Sequence, residues 1–172
     1  VVMYSGNHSP VHPLDTLLAA ARQLASNPDV TFCFIGGGSE WRKIQEKQKP
    51  DRTLSNIICL PYQPLDQLAW SLSAADLHVV VMGNDFVGLV HPCKIYNALS
   101  VGAPVLYIGP SPSHISEILD TLDGHYTCAA AHHGDVERVV EQILRVRRES
   151  AALVRQPPKI SSMFSRETLL PR

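Results

Sequence analysis

The sequence predicts a doubly wound parallel α/β sheet, and three observations carry that prediction. Short apolar runs, many of them β-branched, recur at regular intervals along the chain. Between them lie apolar residues at helical spacing. The runs are continuous rather than alternating, as expected of strands buried on both faces beneath helices.

The elements follow in order. Run 1–5 (VVMYS) is the first strand, and Leu14, Leu17, Leu18, Ala21, Leu24 and Ala25 then share one helical stripe. Run 31–35 (TFCFI) is the second strand, and Gly36-Gly37-Gly38 follows it as a tight turn, with close approach of a ligand to its backbone as the secondary reading. Run 56–60 (NIICL) is the third, with a second stripe at Leu65, Leu68, Ala69 and Leu72. Run 77–82 (LHVVVM) is the fourth. Pro92 suits the first position of a short helix, because its missing N–H is not needed there. Gly102-Ala103-Pro104 stops that helix before the fifth strand, 105–108 (VLYI), and a weaker run lies near 125–129. A third stripe, Val136, Val139, Val140, Ile143 and Leu144, follows Asp135, a fitting N-cap. Gln156-Pro157-Pro158 breaks the last long helix, and a short helix is expected from about Ser162.

Composition narrows the class. A length of 172 residues suits one domain with its own core. Hydrophobic content of 45% against 18% charged residues excludes wholesale disorder. A formal charge of −1 carries no signature of nucleic acid, so none is expected as a partner. The cysteines at 33, 59, 93 and 128 form no C-x-x-C pair; buried reduced thiols point to a cytoplasmic location. No apolar segment approaches the ~18–20 residues of a bilayer span. The opening directly on a strand and the apolar Leu169-Leu170 near the end suggest a domain of a longer protein. Arg145, Arg147, Arg148 and Arg155 make the last helix basic on its outer side. A solvated face is the default reading, and peripheral contact with an acidic membrane or with another domain is the sharper one.

In such sheets ligands bind beyond the carboxyl ends of the strands. The candidate loops are therefore 6–12, 36–39, 61–63 and 83–91. In the last, Pro92 leaves the N–H groups of Cys93, Lys94 and Ile95 open at the positive end of a helix, where Lys94 adds a full charge. A phosphate suits that combination, and a solvated surface lysine is the plainer alternative. His8 and His12 are four apart, but Pro10 and Pro13 oppose a helix there, so no metal site is expected. A thiol nucleophile at Cys93 lacks a His–Asp partner pattern.

Pro92-Cys93-Lys94-Ile95-Tyr96 with Leu99, Gly102, Pro104 and Val105 resembles the P-S-K-x-x-x-x-L-x-x-G-x-P-V signature of retaining GT-B glycosyltransferases of the group called family 4, near its colanic-acid-type members. Tyr4-Ser5-Gly6-Asn7 with residues 13–18, the FCFIGGG of 32–38, residues 56–81 and Gly134-Asp135 resemble further blocks in the same order. The resemblance implies a Rossmann-like fold forming the C-terminal half of a GT-B pair of domains. It makes residues 1–172 one nucleotide-sugar-binding domain, whose tail, 157–172, packs on an N-terminal acceptor domain.

The resemblance also implies site residues. Gly6, Asn7, His12, Gly88, His91, Cys93 and Lys94 would meet the donor diphosphate and sugar, and Tyr62 and Asn97 the nucleoside. Three departures stand out. Asn7 replaces the family's loop arginine, and His12, expected to be partly protonated near neutrality, falls near its lysine. Asn97 replaces the glutamate that holds the ribose, while the first glutamate of that pair falls near Leu89 or on no residue. Phosphate affinity must then lean on Lys94. The expected function is donor binding for transfer of a sugar from a nucleotide diphosphate sugar, with no cofactor or metal, and the domain alone is expected to be inactive. A catalytically degenerate scaffold and a nucleotide-sugar epimerase half are the alternatives.

Overall fold

The computed structural model describes residues 1–48, 54–122 and 128–149. Six strands form one sheet: β1 (Val2–Asn7), β2 (Phe32–Gly37), β3 (Ile57–Leu60), β4 (Leu77–Val81), β5 (Val105–Ile108) and β6 (Cys128–Ala131). Their order is β3-β2-β1-β4-β5-β6, and every pairing is parallel. The strand order reverses between β1 and β4, which opens a crevice at their carboxyl ends.

Alternate strand residues face two helical layers. Tyr4, Phe34, Val79 and Leu106 pack with α1 (Asp15–Gln23), α2 (Ser39–Gln48) and α6 (Val136–Glu149). On the other face Val80, Val105 and Tyr107 pack with α4 (Lys94–Ser100) and α5 (His114–Leu122), and Met3, Cys33 and Ile35 with α3 (Leu68–Ser73). The first stripe is buried at Leu17, Leu18, Ala21 and Leu24. Asp135 caps α6, accepting a hydrogen bond from the Arg138 N–H at 3.1 Å.

Three expectations are corrected. β1 and β2 run two residues beyond the apolar runs, because Gly6↔Gly36 and Asn7↔Gly37 continue the pairing. Gly36, at φ +136°, allows this: a Cβ there would lie 2.0 Å from the Gly6 carbonyl oxygen. The second stripe is not one helix. Pro64 opens a 3₁₀ turn at Leu65–Gln67, and α3 follows for six residues. Leu65 is thereby turned out, 88% exposed, and only Leu68 and Leu72 reach the sheet.

The Pro157-Pro158 break, the helix from Ser162, the tail and Arg155 lie outside the described residues, as do residues 125–127 of the weak sixth run. No described helix is long and apolar enough to cross a membrane. On α6, Arg138 pairs with Glu141 and Arg147 with Asp29 of the α1–β2 connection, so part of the basic face is neutralised locally.

Candidate functional site

The crevice predicted from the strand order is a cleft of about 340 Å³. Gly6, Asn7, His12, Tyr62, His91, Cys93, Lys94 and Asn97 all line it. Gly88 does not. It sits on the open outer part of the β4–α4 loop at φ +78°, where a Cβ would meet nothing within 4 Å.

Lys94 is folded inward. Its ammonium donates to the Asn7 carbonyl at 3.0 Å and stands 4.9 Å above the centre of the Tyr4 ring. Gly6 makes room for it, since a Cβ there would lie 3.0 Å from Lys94 Cε. Among the described residues no carboxylate pairs with it. Burial pushes its pKa down to about 8, against an opposing contribution from Cys93. Lys94 is thus a partly buried lysine held against the end of β1.

Two imidazoles lie behind it. His8 is fully buried, edge-on to Tyr4, with Nδ1 2.8 Å from the Gly6 carbonyl. His12 is buried too. Burial, with the Lys94 charge adding to it, holds each pKa down at about 4. This corrects the expectation of a partly protonated His12: near neutrality it carries no charge. Nε2 of His8 and Nδ1 of His12 are buried with no hydrogen-bond partner among the described residues.

The helix start is also corrected. α4 begins at Lys94, two residues later than Pro92 suggested. The Ile95 N–H, expected to be open, closes a tight turn onto the Pro92 carbonyl at 3.3 Å, and Tyr96 N–H bonds Cys93. Cys93 is exposed, and its thiol meets the His91 backbone carbonyl at 3.5 Å rather than an imidazole, which gives no general base for a nucleophile.

The triple glycine serves packing. A Cβ on Gly37 would lie 3.1 Å from the Tyr62 ring, and one on Gly38 would lie 2.3 Å from the His8 carbonyl oxygen. The Tyr62 ring thus lies along Gly36 and Gly37, filling the space that these glycines leave. The ring as a whole remains 60% exposed. Asn97 lies on the exposed side of α4 at the cleft wall.

Sequence reasoning missed a cluster at the cleft rim. The Tyr96 phenol lies 2.6 Å from His91 Nε2 and 3.2 Å from His114 Nε2, and His91 stacks on the Tyr96 ring. His91 and Tyr96 are close in sequence, but only the tertiary fold brings His114 from α5. Tyr4, the platform beneath Lys94, was also missed, because a tyrosine in an apolar run reads as core.

Comparison with known proteins agrees with this architecture. The family model described as "Glycosyl transferases group 1" matches residues 1–149. WcaI of Escherichia coli (strain K12), named as a glycosyl transferase of colanic acid biosynthesis, is 28% identical over 128 residues, 74% of this chain and 31% of its own. WbjE of Pseudomonas aeruginosa, named as a glycosyltransferase, is 24% identical over 143 residues, 83% of this chain and 35% of its own. The chain thus spans about a third of the length of these curated relatives. Among solved structures, S. aureus TarM, crystallised with Fondaparinux, alpha-GlcNAc-glycerol and UDP, superposes with a TM-score of 0.73 at 16% identity, over 98% of this chain and 33% of TarM. With its match covering all but the last 23 residues, this chain belongs to the glycosyl transferases group 1 family.

Proposed function

We propose that the cleft between β1 and β4 holds the diphosphate of a nucleotide-sugar donor, and that the longer protein transfers the sugar to an acceptor. One observation carries this reading: Lys94 is a half-buried cation with no carboxylate partner among the described residues, at the crevice where such sheets bind ligands. Removing an ammonium from water is costly without a counter-charge. A diphosphate supplies one. The bound UDP of TarM, a protein of the same fold, supports the same ligand class.

In this reading the chemistry is electrostatic. When the anomeric bond breaks, negative charge collects on the departing diphosphate, and a pre-placed cation stabilises it more than it stabilises the intact donor. Lys94 is that cation, so the reading calls on no metal. Asn7 replaces a charged grip with neutral hydrogen bonds, and Asn97 offers the ribose an amide in place of a carboxylate. Tyr62 offers the base an aromatic surface. The acceptor and the rest of the active site come from an N-terminal domain, so the 172-residue chain alone binds donor and transfers nothing.

The test is calorimetric titration with UDP and GDP. Lys94→Ala should weaken the nucleotide that binds by at least about tenfold, the lower range for a hydrogen bond to a charged group. Equal affinity in both proteins would return Lys94 to a structural role.

A further inference from the structure

Lys94 brings a charge to the cleft, but its position is set by a residue shut off from that cleft. Tyr4 lies in β1, is 1% exposed and does not line the cleft. The centre of its ring is 4.9 Å from Lys94 Nζ, within reach of the attraction between a cation and the negative face of an aromatic ring. Its hydroxyl meets the Asn7 carbonyl at 3.4 Å, the same oxygen that Lys94 Nζ reaches at 3.0 Å. His8 packs edge-on to the ring with centres 4.7 Å apart, and Phe34 packs against it at 6.4 Å. The ring is therefore held by its neighbours, whereas the lysine stem is long and flexible.

We propose that Tyr4 is a positioning residue for donor binding: its aromatic face keeps the Lys94 ammonium charged and pre-placed at the cleft, while the ring itself never meets the donor. The inference rests on the donor-site reading above. Two effects act together. Burial favours the neutral amine and a ring face favours the cation, so Tyr4 opposes the loss of charge. Contact with the ring and with the Asn7 carbonyl also restricts a long side chain before the donor arrives, so less rotamer freedom is lost on binding. An ammonium has three N–H donors and Asn7 engages one, which leaves others for a diphosphate. The titratable groups facing Lys94 are Tyr4 of β1, His8 and His12 of the segment that follows it, and Cys93 beside it at the start of α4. Burial pushes the Tyr4 phenol up and both imidazoles down, so all three are neutral near pH 7 and the ring acts through its face alone.

The test keeps the shape at position 4 and changes the charge distribution of the ring. Tyr4→Phe, and then phenylalanines bearing one, two and three fluorines at the same position, hold the ring's outline while fluorine drains its negative face. Calorimetric titration of the whole 172-residue chain with UDP-glucose and GDP-mannose reads affinity from about pH 7 to 9, where their diphosphates do not titrate. Affinity should fall stepwise with each fluorine. Removing a group that favours the cation lowers its pKa, so the alkaline loss of binding, expected from about pH 8 in the unsubstituted protein, should begin at lower pH. Tyr4→Leu removes the face altogether and should weaken the probe that binds by about five- to thirtyfold at about pH 7.5, and Tyr4→Phe should restore most of that loss. Should Tyr4→Leu fail to fold, the fluorinated series decides alone. Equal affinity and an unmoved alkaline limit across that series overturn the inference. So does a loss in Tyr4→Phe as large as in Tyr4→Leu, which assigns the effect to the hydroxyl. Both outcomes leave the donor site standing, whereas no binding of either probe to the unsubstituted protein overturns the donor-site reading and this inference with it.

Discussion

The Lys94 ammonium lies 3.0 Å from the carbonyl oxygen of Asn7, a contact that joins the first residue of α4 to the last residue of β1 across 87 positions of sequence. It pins a cation to the point where the strand order reverses. The consequence is a charge that is pre-placed rather than recruited, over an aromatic ring and beside neutral imidazoles.

Nucleotide affinity should fall above about pH 8. Lys94 loses its proton there in the free protein, and only the charged form attracts a diphosphate. Binding constants measured from pH 7 to 10 should drop about tenfold per unit beyond that point, and a flat profile would dissociate Lys94 from binding.

Acid should destabilise the fold before it protonates carboxylates. His8 and His12 have folded pKa values of about 4, below the unfolded value of 6.5. Between those values the unfolded chain binds more protons, so stability is lost as pH falls from about 6.5 towards 4, by a few kcal/mol in all. Urea unfolding at pH 7 and pH 5 measures it. His8→Gln should reduce the slope, and identical slopes would mean that the rings titrate normally.

Two glycines with positive φ should respond very differently to alanine. Gly36→Ala drives a Cβ to 2.0 Å from the Gly6 carbonyl oxygen and should cost more than about 3 kcal/mol, or prevent folding. Gly88→Ala meets open space and should cost only the left-handed backbone penalty, about 1–2 kcal/mol. Denaturant midpoints decide it; similar losses at both sites would show that space is not the deciding factor.

Tyr62→Ala should separate base from phosphate. If the ring stacks on a nucleobase, UDP or GDP binding weakens by about 1–3 kcal/mol while inorganic diphosphate is unaffected. Parallel loss for both ligands would mean that Tyr62 acts only by packing on Gly36 and Gly37.

Most of the fold was legible because buried parallel strands advertise themselves as uninterrupted apolar runs, and α1 and α6 as stripes. The 105–108 strand was read with its observed bounds. Failures came where glycine or proline overrode the pattern: Gly36 let β1 and β2 continue past their apolar residues, and Pro64 unwound the start of the α3 stripe. The sequence also named loops that converge on the cleft, since strand ends in such a sheet share one edge. What it did not determine is charge. In one dimension His12 is an ordinary polar loop residue and Lys94 an ordinary lysine at a helix start. Their low pKa values arise from burial, to which the Lys94 charge adds at His12, and both exist only once β1, β4 and α4 meet. The His8 tautomer, with its proton on Nδ1, is likewise set by the backbone carbonyl of Gly6, fixed in place by the folded sheet.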